Sequence, residues 1–424
     1  MLKAQAMGYD EQIKGPRIGL AVAGGGPLGV IYEIGALRAL DEALEGIDFN
    51  HLHVYVGVSA GAVIAANLVN QITTAQMCRI FVKSESTEHP LNPQIFLTPA
   101  FKEYWQRINS IPRLFWESVW SFVKNPFDLG LLESLTSLSR AIPSGIFDNE
   151  PIYQFATQLY TAKGRTNDFR KLKHKLFVVA VDLDTGESIK FGSEGYDHVP
   201  IAKAVQASAA LPGLYPPVEI DGHYYVDGAL LKTMHASVAL NEGVDLIFCL
   251  NPIVPFDSNL AAQAGILQHK SLIEGGLPVV LSQTFRSIVH SRLQAGMSSY
   301  DTQYENADVI LFEPNRDDSK MFFTNVFSFA NRRWVCEHAY QTTRHDLLAR
   351  HREFEPILAR HGISLRMDIL EDKNRNFDTG LGENINIQES DSTGEDQAKL
   401  SSKATTDFSN TLEQIRNWVH SFHD

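Results

Sequence analysis

Three consecutive glycines placed directly after an apolar run constrain this chain more than any other feature of it. Ile18 to Ala23 carries no polar side chain and reads as a buried strand. Gly24-Gly25-Gly26-Pro27-Leu28-Gly29 follows, and Ile34, Leu37, Leu40 and Leu44 then recur at helical spacing. A tight turn accounts for one or two glycines but not for three in a row, so the loop is expected to bring its backbone close to another group at a helix N-terminus. A second unit has the same form: a β-rich run from His53 to Val58, a turn at Ser59, then Val63, Ile64, Asn67 and Leu68 at helical spacing. Two strand-loop-helix units in succession predict an α/β fold, three layers (α/β/α) around a largely parallel central sheet. Further strands are expected at Leu176 to Leu183, Leu246 to Leu250 and Val309 to Phe312.

With 424 residues, 44% hydrophobic and 21% charged, the chain has ordinary globular usage and room for two to three domains, or for one large α/β domain with insertions. Lys plus Arg is 37 against Asp plus Glu 50, and the resulting charge of -13 gives no electrostatic footprint for wrapping nucleic acid. Cys78, Cys249 and Cys336 are few, odd in number and far apart, which suits a reducing compartment and matches no zinc-ribbon spacing. Asp10, Glu11 and Lys14 interrupt the N-terminal segment, so no secretory signal is expected there. The uncharged stretch from Val54 to Cys78 is apolar only as far as Ala66, short of the roughly 20 residues a bilayer span requires. It is expected to be a buried strand and helix.

The character changes between about Glu85 and Pro151, where the strand signal disappears. Phe101, Tyr104, Trp105, Ile108, Ile111, Phe115, Val119 and Phe122 recur at near-helical spacing, interrupted at Pro112. A helical insertion or cap packed on the core explains this stripe, and a lipid-facing surface explains it too, since Trp105, Trp116 and Trp120 suit a membrane interface. From about Leu370 to Thr406 the sequence turns polar and acidic with few apolar residues, as a flexible linker would have it. Leu412, Ile415, Trp418, Val419 and Phe422 then return at helical spacing.

Two places carry chemistry. Gly24, Gly26 and Gly29 formally match a dinucleotide-binding loop, which also calls for an acidic residue at the end of the next strand. That strand ends at Ser59, and Asp48 precedes it. Gly57-Val58-Ser59-Ala60-Gly61 is a GxSxG between a β-rich run and a helix, the context in which a serine sits on a sharp turn with small residues flanking it because the chain passes close to itself. Ser59 is therefore a candidate nucleophile. Acyl transfer also needs donors for an oxyanion, and the backbone N–H groups of Gly24, Gly25 and Gly26 carry no side chain to block one. Of the fifteen histidines, His235 and His198 lie nearest the remaining motif-like region as candidate bases, but neither sits in a distinctive local pattern. Tyr224-Tyr225-Val226-Asp227-Gly228-Ala229 places Asp227 at the end of a β-like run before two small residues, which by itself is ordinary turn chemistry.

Taken together, the glycine run, Gly57-Val58-Ser59-Ala60-Gly61 and Asp227-Gly228-Ala229 resemble the patatin-like phospholipase family, in order and in context. Ala180-Val181-Asp182-Leu183-Asp184-Thr185-Gly186 and Ala207-Ser208-Ala209-Ala210-Leu211-Pro212-Gly213, running into Pro216-Pro217-Val218, are similar to it as well. The resemblance covers about Arg17 to Val254. It implies a Ser59–Asp227 dyad without an obligatory histidine, an oxyanion loop at Gly24 to Gly26 supported by Gly29, Gly57, Gly61 and Gly228, and hydrolysis of lipid or phospholipid esters with no metal and no cofactor. Two departures stand in the loop: Ala23 replaces an aspartate and Leu28 an arginine, which removes one contact to a substrate phosphate. Ala229 replaces the commoner glycine.

On this basis residues 14–350 are expected to form the catalytic domain, with 85–150 as its insertion and 351–369 as its C-terminal extension. A disordered acidic linker over 370–410 and a short amphipathic helix over 411–424 complete the chain. A cytoplasmic enzyme is expected, with 101–123 as the candidate peripheral membrane contact and no nucleic-acid partner. The alternatives are a Ser-His-Asp esterase using His235 or His198, and a non-catalytic lipid-binding module of the same fold.

Overall fold

A computed structural model describes residues 15–85, 98–100, 144–265, 272–324 and 331–381. The aromatic stripe at 101–123, the acidic stretch from 382 onward and the terminal segment 411–424 lie outside the described residues. Contacts divide the chain into one unit through Phe377 and a second of Asp378–Asp424. Only the first is considered below.

Its centre is an eight-stranded sheet. Strand β1 (Ile18–Val22) is followed by helix α1 (Gly26–Ala43) and a two-residue strand β2 (Leu44–Glu45); β3 (Val54–Val58) is followed by α2 (Ala60–Val69) and α3 (Thr74–Met77). After the stretch around residue 100 come α4 (Glu150–Tyr160), β4 (Lys175–Asp182), β5 (Ser188–Phe191), α5 (Ile201–Ser208), β6 (Val218–Ile220), β7 (His223–Asp227), α6 (Ala236–Asn241) and β8 (Leu246–Leu250). The unit is completed by α7 (Ser258–Gln263), the long α8 (Gly276–Gln303), β9 (Asp308–Phe312), α9 (Ser319–Phe323), α10 (Arg332–Ala349), α11 (His351–Arg360), β10 (Ser364–Leu365) and α12 (Met367–Glu371).

The strands β4-β3-β1-β8-β9 lie side by side and parallel. Because helices cover both faces, these strands are unbroken apolar runs rather than alternating ones, and β1, β3 and β8 are buried at every residue. Ala21, Val56, Val58, Val179, Ile247 and Cys249 pack against Ala236, Ala239 and Leu240 of α6 and against Leu293 and Tyr300 of α8. Helices α1 and α2 pack beside one another, and α2 lies on β3, β1 and β4. The predicted three-layer arrangement is therefore present. Strands predicted at 176–183, 246–250 and 309–312 are found as β4, β8 and β9 within a residue or so. The antiparallel β5 and β7 both pair with β4, and β6 pairs with β7.

Strand β4 is what positions the site. Its residues Val178 to Val181 pair with β5 along one edge. Since β3 pairs with Lys175 to Val179 and β7 with Ala180 to Asp182, both must use the other edge, end to end and in opposite directions. Val58 lies opposite Val179 and Asp227 opposite Ala180, the next residue along. The chain thus leaves β3 at Ser59 where β7 arrives at Asp227.

Helix α1 shows why the domain needs residues far beyond its first motifs. Nearly every residue of it is buried, not only the predicted stripe. One side meets α10, and at Gly35 the contact is so close that a Cβ would lie 2.2 Å from the carbonyl oxygen of Cys336. The segment after 370, expected as linker, stays in this unit through Phe377, because the Arg344 guanidinium donates to the carbonyls of Ile369, Leu370 and Asp372. No described helix is long and apolar enough to cross a membrane. Gly35→Ala is expected to lower stability by about 1–3 kcal/mol in urea unfolding, the usual cost of forcing a methyl into a filled interface. An unchanged midpoint would mean that α1 and α10 do not meet backbone to backbone.

Candidate active site

Ser59 takes the N-cap position of α2 with φ 54° and ψ −122°, a conformation that costs a non-glycine residue strain and persists only where the surroundings enforce it. Two glycines make room for it. A Cβ on Gly57 would lie 2.5 Å from the Cα of Ala62, and one on Gly61 would lie 2.3 Å from the carbonyl oxygen of Val22. The Ser59 N–H donates to the Ser208 hydroxyl at 2.8 Å, and that hydroxyl donates to the Val179 carbonyl at 2.6 Å. A serine at an N-cap ordinarily turns its oxygen back on the helix. Ser59 makes no such cap, and its hydroxyl is left facing the cleft that Asp227 also lines.

Asp227 is buried. Its Oδ1 accepts from the Ala229 N–H at 2.9 Å, and its own N–H donates to the Ala210 carbonyl at 3.0 Å. Burial pushes the carboxyl from 3.8 up to about 6, with the neighbouring Ser59 hydroxyl and the Ala229 N–H opposing the rise. Gly228 is required because a Cβ there would lie 2.3 Å from the Val179 carbonyl oxygen.

The glycine run stands against the serine. A Cβ on Gly24 would lie 2.9 Å from Ser59 Cβ and 3.4 Å from Ser59 Oγ, and Gly26 has a positive φ of 63°. Gly25 caps α1, so the N–H groups here precede the first i−4 carbonyl of the helix and lie at the positive end of its dipole. Pro252, just after β8, presses on this loop: a Cβ on Gly25 would lie 2.4 Å from its ring. A Cβ on Gly29 would lie 3.3 Å from the same ring.

Ser59, Asp227 and Gly24 to Gly26 all open into one cleft of about 630 Å³. Its walls are mainly carbon, from Leu28, Val63, Ile152, Leu211, Phe285 and Val289 among others. No histidine is among the described lining residues. His198 is exposed and pairs with Asp221 at 2.8 Å. His235 is buried at the start of α6, with Nε2 3.3 Å from the Gly228 carbonyl oxygen, and burial pushes it down to about 4. Neither histidine considered from sequence touches the serine. Asp182, Asp184 and His223 come within metal-binding reach of one another outside the cleft, but Asp182 already caps the turn N–H groups of Asp184 and Thr185.

Sequence reasoning missed Ser208 and Pro252. Ser208 lay inside a stretch singled out for its resemblance, so a signal existed without a role. Nothing marked Pro252. Ser208→Ala is expected to cost about tenfold in ester turnover together with about 1–3 kcal/mol of stability, because the Ser59 N–H is left buried without an acceptor. Wild-type kinetics and stability in this variant would show that the strained turn does not depend on it.

A family model described as patatin-like phospholipase matches residues 20–240. Among solved structures, VipD from Legionella pneumophila aligns over 78% of this chain and 70% of its own, at 15% identity and a TM-score of 0.32. The type III effector ExoU aligns over 79% of this chain and 53% of its own, at 15% identity and a TM-score of 0.33. ExoU of Pseudomonas aeruginosa in complex with SpcU aligns over 67% of this chain and 53% of that one, at 14% identity and a TM-score of 0.24. The chain thus spans about half the length of ExoU.

Proposed function

The chain belongs to the patatin-like phospholipase family, and on that premise we propose that it is a serine lipid acyl hydrolase working through a Ser59–Asp227 dyad. The observation that carries this reading is the placement of Ser59, on a strained turn, in the same apolar cleft as the buried Asp227 carboxyl and the Gly24 to Gly26 loop.

The chemistry follows from the arrangement. Asp227 as carboxylate accepts the Ser59 proton while Oγ adds to the ester carbonyl carbon. The carbonyl oxygen becomes an oxyanion, held by N–H groups of the Gly24 to Gly26 loop, with the N-termini of α1 and α2 both favouring the negative charge. Collapse breaks the bond to the alcohol oxygen, which leaves with the proton from Asp227, and the acyl group stays on Ser59. Water then gives a proton to Asp227 and adds to the acyl carbon. The carboxylic acid departs, and Ser59 recovers its proton. An apolar cleft suits an acyl chain, and the burial that raises Asp227 makes it a stronger base than an exposed carboxylate.

Ser59→Ala and Asp227→Asn are each expected to reduce turnover of a short-chain ester by at least about 10³-fold, as losing a nucleophile or its base does. Retention of activity in either would remove that residue from the mechanism. Because the dyad works with Asp227 ionised, kcat/KM should rise with pH through about 6 and then level. The linked effect on stability has the opposite direction. The folded-state value lies above the ordinary 3.8, so ionising the buried carboxyl destabilises the fold above about pH 6, and no such penalty exists below about pH 4. Asp227→Asn should therefore unfold at higher temperature than wild type at pH 8 and lose that advantage at pH 4. A pH profile centred elsewhere, or an advantage that grows on acidification, would contradict the assignment.

A further inference from the structure

Among the described residues, the cleft that holds Ser59 is lined by one carboxyl, one cation and otherwise neutral groups. The carboxyl, Asp227, is accounted for. The cation is Arg286 on α8, beyond the segment that the family model matches. It is half-buried, and no carboxylate pairs with it among the described residues. Its Nη1 donates to the Val254 carbonyl at 3.3 Å and its Nε donates weakly to Ser282 Oγ at 3.4 Å. The guanidinium also lies over the Phe322 ring, 5.2 Å from the centroid. Five N–H groups are available on a guanidinium, so these neutral contacts leave most of its donors unused. The nearest acid in the adjoining recess, Asp318, is engaged by His338.

A cation withdrawn from water without a counter-charge is costly, and burial lowers the Arg286 pKa accordingly. An arginine held this way presents a planar fork suited to two oxygens of an oxyanion. Leu28, where the family resemblance calls for arginine, contributes only carbon to the same cleft. We propose that Arg286 is the phosphate-binding residue of the substrate site, receiving the phosphodiester of a phospholipid head-group while the acyl ester lies at Ser59. This proposal rests on the lipid acyl hydrolase reading for its choice of ligand.

The test separates the two. Binding of dihexanoylphosphatidylcholine and of dihexanoylglycerol is measured by calorimetry on Ser59→Ala protein, with and without Arg286→Met, which keeps an unbranched apolar stem over Phe322. Arg286→Met should weaken the phospholipid by about 10- to 100-fold, as loss of a charge-assisted bidentate contact does, and leave dihexanoylglycerol within about threefold. Arg286→Lys should recover part of the difference, because an ammonium restores the charge without the fork. Equal weakening of both ligands, or of neither, would overturn the proposal and leave Arg286 as a structural brace. Glycerophosphocholine binding as tightly as the lipid would assign the site to a free phosphate ester and overturn the head-group assignment. If wild-type protein hydrolyses no ester while the phospholipid selectivity depends on Arg286, the hydrolase reading fails and the phosphate site stands.

Discussion

Strand β4 offers one edge to two strands that run toward each other, and the rest of the active centre depends on that arrangement. A parallel sheet alone delivers its chain ends to one side, where β1 and β3 place the glycine run and Ser59. It does not deliver a second functional group from a distant part of the sequence onto the end of the same strand line. By pairing antiparallel with the last residues of β4, β7 ends one ladder position beyond β3, and Asp227 comes beside Ser59 across 167 intervening positions. The close approaches at Gly57, Gly61 and Gly228 are consequences, since each lies where one backbone passes against another and a methyl group would separate them.

The same geometry sets the electrostatics. Asp227 is far enough inside to lose most of its hydration, and among the described residues it accepts from the neutral Ala229 N–H and forms no ion pair. An ion pair would have stabilised the carboxylate and removed its basicity. Burial without a counter-charge instead raises it to about 6. Strain acts in the same direction at Ser59. A relaxed N-cap serine would spend its oxygen on the helix, whereas a left-handed φ held by Ser208 and the flanking glycines leaves that oxygen facing the cleft that Asp227 also lines.

Much of this was legible from the chain alone, for a physical reason. Strands buried on both faces are short unbroken apolar runs, so β1, β3 and β8 announce themselves, and turns that admit only glycine mark the loops between them. The short antiparallel strands β5 and β6 carry little hydrophobic signal because they are partly exposed. Asp227 was indistinguishable from a turn residue until a family pattern was laid on it. Ser208, Pro252 and Arg286 act through contacts between elements distant in sequence, and no local pattern encodes such contacts. The histidines illustrate the converse: His198 and His235 are equally plausible bases by position, and the structure separates them from the cleft by placing one in a surface ion pair and the other behind the Gly228 carbonyl. The stretch just after Leu370 has the composition of a linker, and the Arg344 hydrogen bonds to the carbonyls of Ile369, Leu370, Asp372 and Arg375 cannot be seen in composition.

The central claim is that a buried aspartate activates one strained serine. The most direct measurement is the rate at which a fluorophosphonate forms a covalent adduct, followed by intact mass and peptide mapping across pH. A single adduct on Ser59 is predicted, with a rate that rises with pH through about 6 and falls by about 100-fold or more in Asp227→Asn, within the range that a positioned base contributes. An adduct on another residue, or labelling of Ser59 that is indifferent to both pH and Asp227, would contradict the account.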